Sequence, residues 1–82
     1  MRALELRSLW RKLDGLLSAA LALERGRIGD EQAAIVQDYL DHNEFGLAYE
    51  TMVEALSDLD LHPLESSAPL LDEARRLMTP DA

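Results

Sequence analysis

The sequence predicts an all-α fold, a compact four-helix, bundle-like single domain, and three observations carry that reading. Apolar residues recur at three- and four-residue spacings along most of the chain. Short polar breaks containing Gly, Asp, Asn or Pro separate these stretches. The core must be built mainly from leucine, because only Trp10, Tyr39, Phe45 and Tyr49 are aromatic in a chain that is 48% apolar. That composition suits helices better than strands. The 82 residues fit one domain. A domain near this size buries only about 60–65% of its unfolded surface, so its stability margin is thin.

The first helix is expected from Arg2 to Glu24. Leu6, Leu9, Trp10, Leu13, Leu16, Leu17, Ala20 and Leu21 make one broad apolar face, with Arg7, Ser8, Arg11 and Ser18 opposite. Gly26 is placed to stop it, with Arg25 complementing the negative end of the helix dipole. The second helix is expected over residues 31–41, after Gly29, with Asp30 as N-cap and Ile35, Val36, Tyr39 and Leu40 as its buried stripe. The polar run Asp41-His42-Asn43-Glu44 then reads as a tight antiparallel turn, with Asn43 capping the next helix.

The third helix covers residues 44–59, with Phe45, Ala48, Tyr49, Met52, Leu56 and Leu59 facing the core. Gly46, early in this helix, suggests close backbone approach to a neighbour. Leu47, Glu50, Glu54 and Asp58 fall on the opposite side. Like charges four residues apart destabilise an isolated helix by about 0.2–0.5 kcal/mol per pair. Residues 60–65 form a loop, since Pro63 disfavours helix at His62 and lacks a donor of its own. Ser66 or Ser67 then caps a last helix over residues 67–78, with Pro69 in its first turn and Leu70, Leu71, Ala74, Leu77 and Met78 on its apolar side. Residues 79–82 should fray.

Charge excludes some partner classes. The net charge of −8 argues against nucleic acid or an anionic membrane. All eight basic residues lie outside the stretch Ile28 to Ala74, whose 47 residues contain twelve Asp or Glu. An uncompensated acidic stretch serves solubility, and it also carries a self-repulsion that a basic partner would relieve. At the N-terminus, basic residues precede an apolar run that includes Ala20-Leu21-Ala22, the outline of a secretory signal. Glu5, Asp14 and an apolar periodicity that starts earlier favour a folded helix of a cytoplasmic protein. The run is also too short to span a bilayer.

No residue pattern calls for catalysis, a cofactor or a metal. Without cysteine, thiolate sites and disulfides are excluded. His42 and His62 both fall in turns. Asp38 and His42, one helical turn apart, could share a metal, but two ligands do not define a site. A capping or solvent-exposed role for His42 is the expectation. There is neither a glycine-rich phosphate loop nor a nucleophile elbow. The chain shares its length, acidity and helical class with acyl carrier proteins. Its Leu56-Ser57-Asp58-Leu59, however, places the aspartate after the serine and the serine near a helix end, the reverse of that family's arrangement.

The segment His42-Asn43-Glu44-Phe45-Gly46-Leu47-Ala48-Tyr49-Glu50, continuing to Leu56, resembles the signature of the MafI family of small immunity proteins from bacterial polymorphic toxin systems. Tyr39-Leu40 at the end of the preceding helix fits as well, and the resemblance covers residues 28–78. It implies an all-helical protein that binds and neutralises a cognate toxin C-terminal domain in the cytoplasm of the producing cell. Many such toxins attack nucleic acids, and an enzyme that grips phosphates presents a basic cleft. The expected contact face is therefore Asp38, Asp41, Glu44, Glu50, Glu54 and Asp58, with exposed Leu47 as the apolar anchor. The alternative is a helical adaptor or regulatory subunit of a larger assembly.

Overall fold

The computed structural model describes residues 3–79. It contains four helices, α1 (Ala3–Ile28), α2 (Asp30–Asp41), α3 (Phe45–Asp58) and α4 (Ala68–Met78), and no strand among the described residues. The predicted start at Arg2 and the fraying expected over residues 80–82 lie outside the described residues. At about 1.5 Å per residue, the 26 residues of α1 account for the longest dimension of the fold, 39 Å. α1 is the spine against which α2, α3 and α4 all pack, while α2 also pairs with α3 and α3 with α4.

Fully buried alanines, Ala20, Ala33, Ala48 and Ala74, sit one on each helix. Small side chains let helix backbones approach, and Leu17, Leu21, Val36, Met52 and Leu56 fill the space between them. Three residues expected in the core are instead exposed, Trp10 (39%), Ile35 (39%) and Leu59 (53%), while others, Leu6 and Tyr39 among them, are half-buried. The buried stripe of α2 is Ala33, Val36 and Leu40, which turns Ile35 outward. Leu59 is the C-cap of α3, and the chain reverses immediately after it, so Leu61 packs on the core in its place. Trp10 lies near the start of α1, where it is covered only in part.

The helix ends explain most of the boundary corrections. α1 runs through Gly26 to Ile28. A mid-helix glycine costs about 0.5–1 kcal/mol, but continuing the helix buries Ile28 and lets Arg27 pair with Glu24. The break falls at Gly29, the sole residue between α1 and α2, with φ 89° and ψ 159°, a region that glycine alone adopts readily. Asp30 is thus the first residue of α2, with Gly29 in the cap position.

Asn43 does not cap α3; it terminates α2. Its φ of 57° is left-handed, its N–H donates to the Leu40 carbonyl and that of Glu44 to the Tyr39 carbonyl, the two bonds of a Schellman turn. Asp60, also at φ 57°, ends α3 in the same way, with N–H groups of Asp60 and Leu61 donating to Ser57 and Leu56. Asn and Asp tolerate this conformation better than other non-glycine residues. Gly46 shows no close approach: a Cβ there would meet no heavy atom within 4 Å.

One buried charge holds the long connection to α4 in place. Glu24 is completely buried, and its carboxylate accepts hydrogen bonds from the Ser67 hydroxyl, from the Leu64 N–H at 2.8 Å and from Arg27 Nη1 at 2.8 Å. Arg27 also donates to the His62 carbonyl at 2.9 Å. Ser67 occupies the cap position of α4, yet its side chain makes no capping bond because it serves Glu24 instead. Burial alone would push the Glu24 pKa up. The hydrogen bonds from Ser67, Leu64 and Arg27, together with the Arg27 charge, outweigh it and hold the carboxyl below its ordinary value.

Candidate functional site

All seven residues expected at a partner surface, Asp38, Asp41, Glu44, Leu47, Glu50, Glu54 and Asp58, are exposed. They fall into two groups. Asp38, Asp41 and Glu44 surround the α2–α3 turn, where His42 feels the charge of all three. His42 closes α2: its Nδ1 lies 2.8 Å from the Asp38 carbonyl and 3.6 Å from an Asp38 carboxylate oxygen. The bond to that carbonyl, followed by the Asp38 charge, raises its pKa. Asp41 accepts a hydrogen bond from Gln37 at 2.9 Å.

The second group runs along α3. At 3.6 residues per turn, Leu47, Glu50, Glu54 and Asp58 project within about 80° of one another, opposite the buried Phe45, Ala48, Met52 and Leu56. Among the described residues, Glu44, Glu50, Glu54 and Asp58 make no side-chain hydrogen bond or ion pair. No basic residue stands in the last turn of α3, so Asp58 meets the negative end of the helix dipole uncompensated. By contrast, the acids of α4 are paired, Asp72 with Arg75 at 2.8 Å and Glu73 with Arg76 and Lys12.

Leu47, 42% exposed, stands at the edge of a groove of about 690 Å³ that the sequence did not reveal. Leu9, Trp10 and Leu13 of α1 form one wall, and Leu77 and Met78 of α4 another. The α2–α3 turn and the start of α3, from Asn43 to Leu47, complete it. Among the described residues, Glu44 is the one charged residue of this lining. Two signals were present in the sequence: a lone tryptophan on a leucine-dominated face, and a glycine early in a helix with no turn to make.

A smaller cleft of about 300 Å³ lies between the end of α3 and the following loop, lined by Val53, Leu56, Ser57 and residues 60–63. Ser57, the serine of the carrier-protein comparison, is exposed in the last turn of α3 rather than at a helix start. No group of three or more His, Cys, Asp or Glu side chains is arranged to hold a metal among the described residues. No described helix is long and apolar enough to cross a membrane.

Comparison with protein-family models, curated proteins and solved structures gives no match for this chain. The functional reading therefore rests on its own residues and on the motif at the start of α3.

Proposed function

We propose that this chain is an immunity protein of the MafI type, which neutralises a cognate toxin domain in the cytoplasm by placing its acidic helical surface against a basic cleft. The observation that carries the reading is the outer face of α3. Glu50, Glu54 and Asp58 repeat at four-residue spacing with no countercharge, and Leu47 is exposed among them. This arrangement costs helix stability through like-charge repulsion and an unfavourable dipole contact. Solubility alone would be served by acids dispersed over the surface; here they share one face of one helix with an exposed leucine. A basic partner converts the same charges into complementarity and faster encounter, while Leu47 supplies a desolvated contact.

Co-expression with the toxin encoded by the adjacent gene tests the proposal. Cells should survive with this chain and die with an unrelated immunity protein, and the two proteins should co-purify in fixed stoichiometry. Loss of protection, or survival without a complex, would overturn it.

A further inference from the structure

We infer that the groove between α1, the α2–α3 turn and the end of α4 takes up a large apolar side chain from a basic segment of the partner protein. The inference rests on the binding-module reading above and names the chemistry of what is bound.

Gly46 is the first support. It is the second residue of α3, where glycine is a weaker helix former than alanine. Its φ is not positive, and apart from its chain neighbours and its own helix backbone no heavy atom lies within 4 Å of where its Cβ would stand. Neither backbone conformation nor packing asks for a glycine there. Gly15 and Gly26 have equally open surroundings; Gly46 differs from them in lining the groove, between Phe45 and Leu47.

Charge is the second support. Among the described residues, Glu44 is the single charged one of the lining, and its carboxylate makes no hydrogen bond or ion pair. The acidic face of α3 continues beyond it through Glu50 and Glu54. By helical periodicity Arg7 and Arg11 lie on the far side of α1 from Leu9 and Leu13, and Lys12, nearer Leu9, pairs with Glu73 of α4, so no described cation of α1 lines the groove. An apolar side chain seated against Leu13 and Phe45, with Lys or Arg beside it, satisfies both the apolar lining and the carboxylate. A second copy of this chain fits less well, since each carries a net charge of −8.

The probe is a display library of short random tryptophan-free peptides, selected on the folded full chain. Selected peptides are then titrated while following Trp10, the one tryptophan, which lines the groove. The selected sequences should combine a large apolar residue with Lys or Arg, and should shift the Trp10 emission saturably. Gly46→Leu, which fills the groove, should bind them about tenfold more weakly, as expected for a blocked central pocket. Gly46→Ala should unfold at higher urea and still bind more weakly, separating groove access from fold stability. Glu44→Gln should lower affinity and flatten its salt dependence. No enrichment, an acidic consensus, or equal binding by Gly46→Leu would overturn the inference. So would a parental dimer in sedimentation that Gly46→Leu converts to monomer, which would assign the groove to self-association. Toxin protection that survives Gly46→Leu but fails in Glu50→Lys/Glu54→Lys leaves the immunity reading standing and removes this one. Groove-dependent peptide binding without any protection does the reverse.

Discussion

Replacing Glu24 tests how the fold is held where α4 joins it. Its carboxylate accepts three hydrogen bonds, from Ser67, Leu64 and Arg27. Removing it leaves the fully buried Ser67 hydroxyl with only a long contact, 3.3 Å, to the Leu64 carbonyl. A stranded buried polar group costs about 1–3 kcal/mol. The Leu64 N–H loses less, because that residue is 37% exposed and water can replace the acceptor. Arg27 is partly exposed and keeps the His62 carbonyl, so its lost pairing adds a discounted share. The sum for Glu24→Ala is about 2–4 kcal/mol, a large part of the roughly 4–12 kcal/mol expected for a domain of this length. Glu24→Gln keeps the volume and should cost about half as much. Urea unfolding at neutral pH measures both, and the cycle with Ser67→Ala should show a coupling of about 1 kcal/mol or more. The pH dependence follows from the depressed pKa. Stability from Glu24 is present above its unfolded value near 4.5 and is lost as pH falls through the lower folded value. Glu24→Gln should therefore lose less stability than the parent below that pH. A Glu24→Ala midpoint corresponding to a loss of less than about 1 kcal/mol would mean that the buried carboxylate does not hold the connection to α4.

Other perturbations probe other parts of the structure. Leu56→Ala, at a site only 1% exposed, should cost about 2–5 kcal/mol in urea unfolding; an unchanged midpoint would mean that α3 presents another face to the core. Gly29→Ala should lower stability by about 1–3 kcal/mol, since φ 89° with ψ 159° strains any side chain, whereas a neutral result would mean the α1–α2 link relaxes freely. The raised pKa of His42 means that its contribution is fully present below the ordinary value of 6.5 and fades as pH rises through the folded value. The gap between parent and His42→Gln in urea should accordingly narrow from pH 6 to pH 8, and a gap independent of pH would contradict the link to Asp38.

Much of the fold was legible in the sequence, because long leucine-rich helices with three- and four-residue periodicity announce their buried faces. Helix ends were less legible. Gly26 and Gly29 look alike as symbols, and only the burial of Ile28 and the Glu24–Arg27 pair decides which of them ends α1. Asn43 and Asp60 read as polar turn residues; their left-handed role follows from where the preceding helix stops. Glu24 continues the stripe Leu17, Leu21, Ile28 at four-, three- and four-residue spacing, a signal that it points inward. Its partners Ser67 and Leu64 are too distant along the chain for local reading to find. The acidic residues and Leu47 were legible as an outer face. The groove beside them was not, because it arises from three helices that meet only in the folded chain.

Whether the acidic face of α3 steers a basic partner can be read from the association rate of the cognate toxin domain with the Glu50→Lys/Glu54→Lys variant, measured against the parent across a salt series. Both residues are exposed and make no ion pair, so the variant should retain or exceed the parental unfolding midpoint. Rim charges act mainly through encounter, and their effect is screened over about 8–10 Å at moderate ionic strength. Association should slow by about tenfold or more at low salt, with the difference shrinking as salt rises. Parental association rates for the folded variant at every salt concentration would contradict that steering.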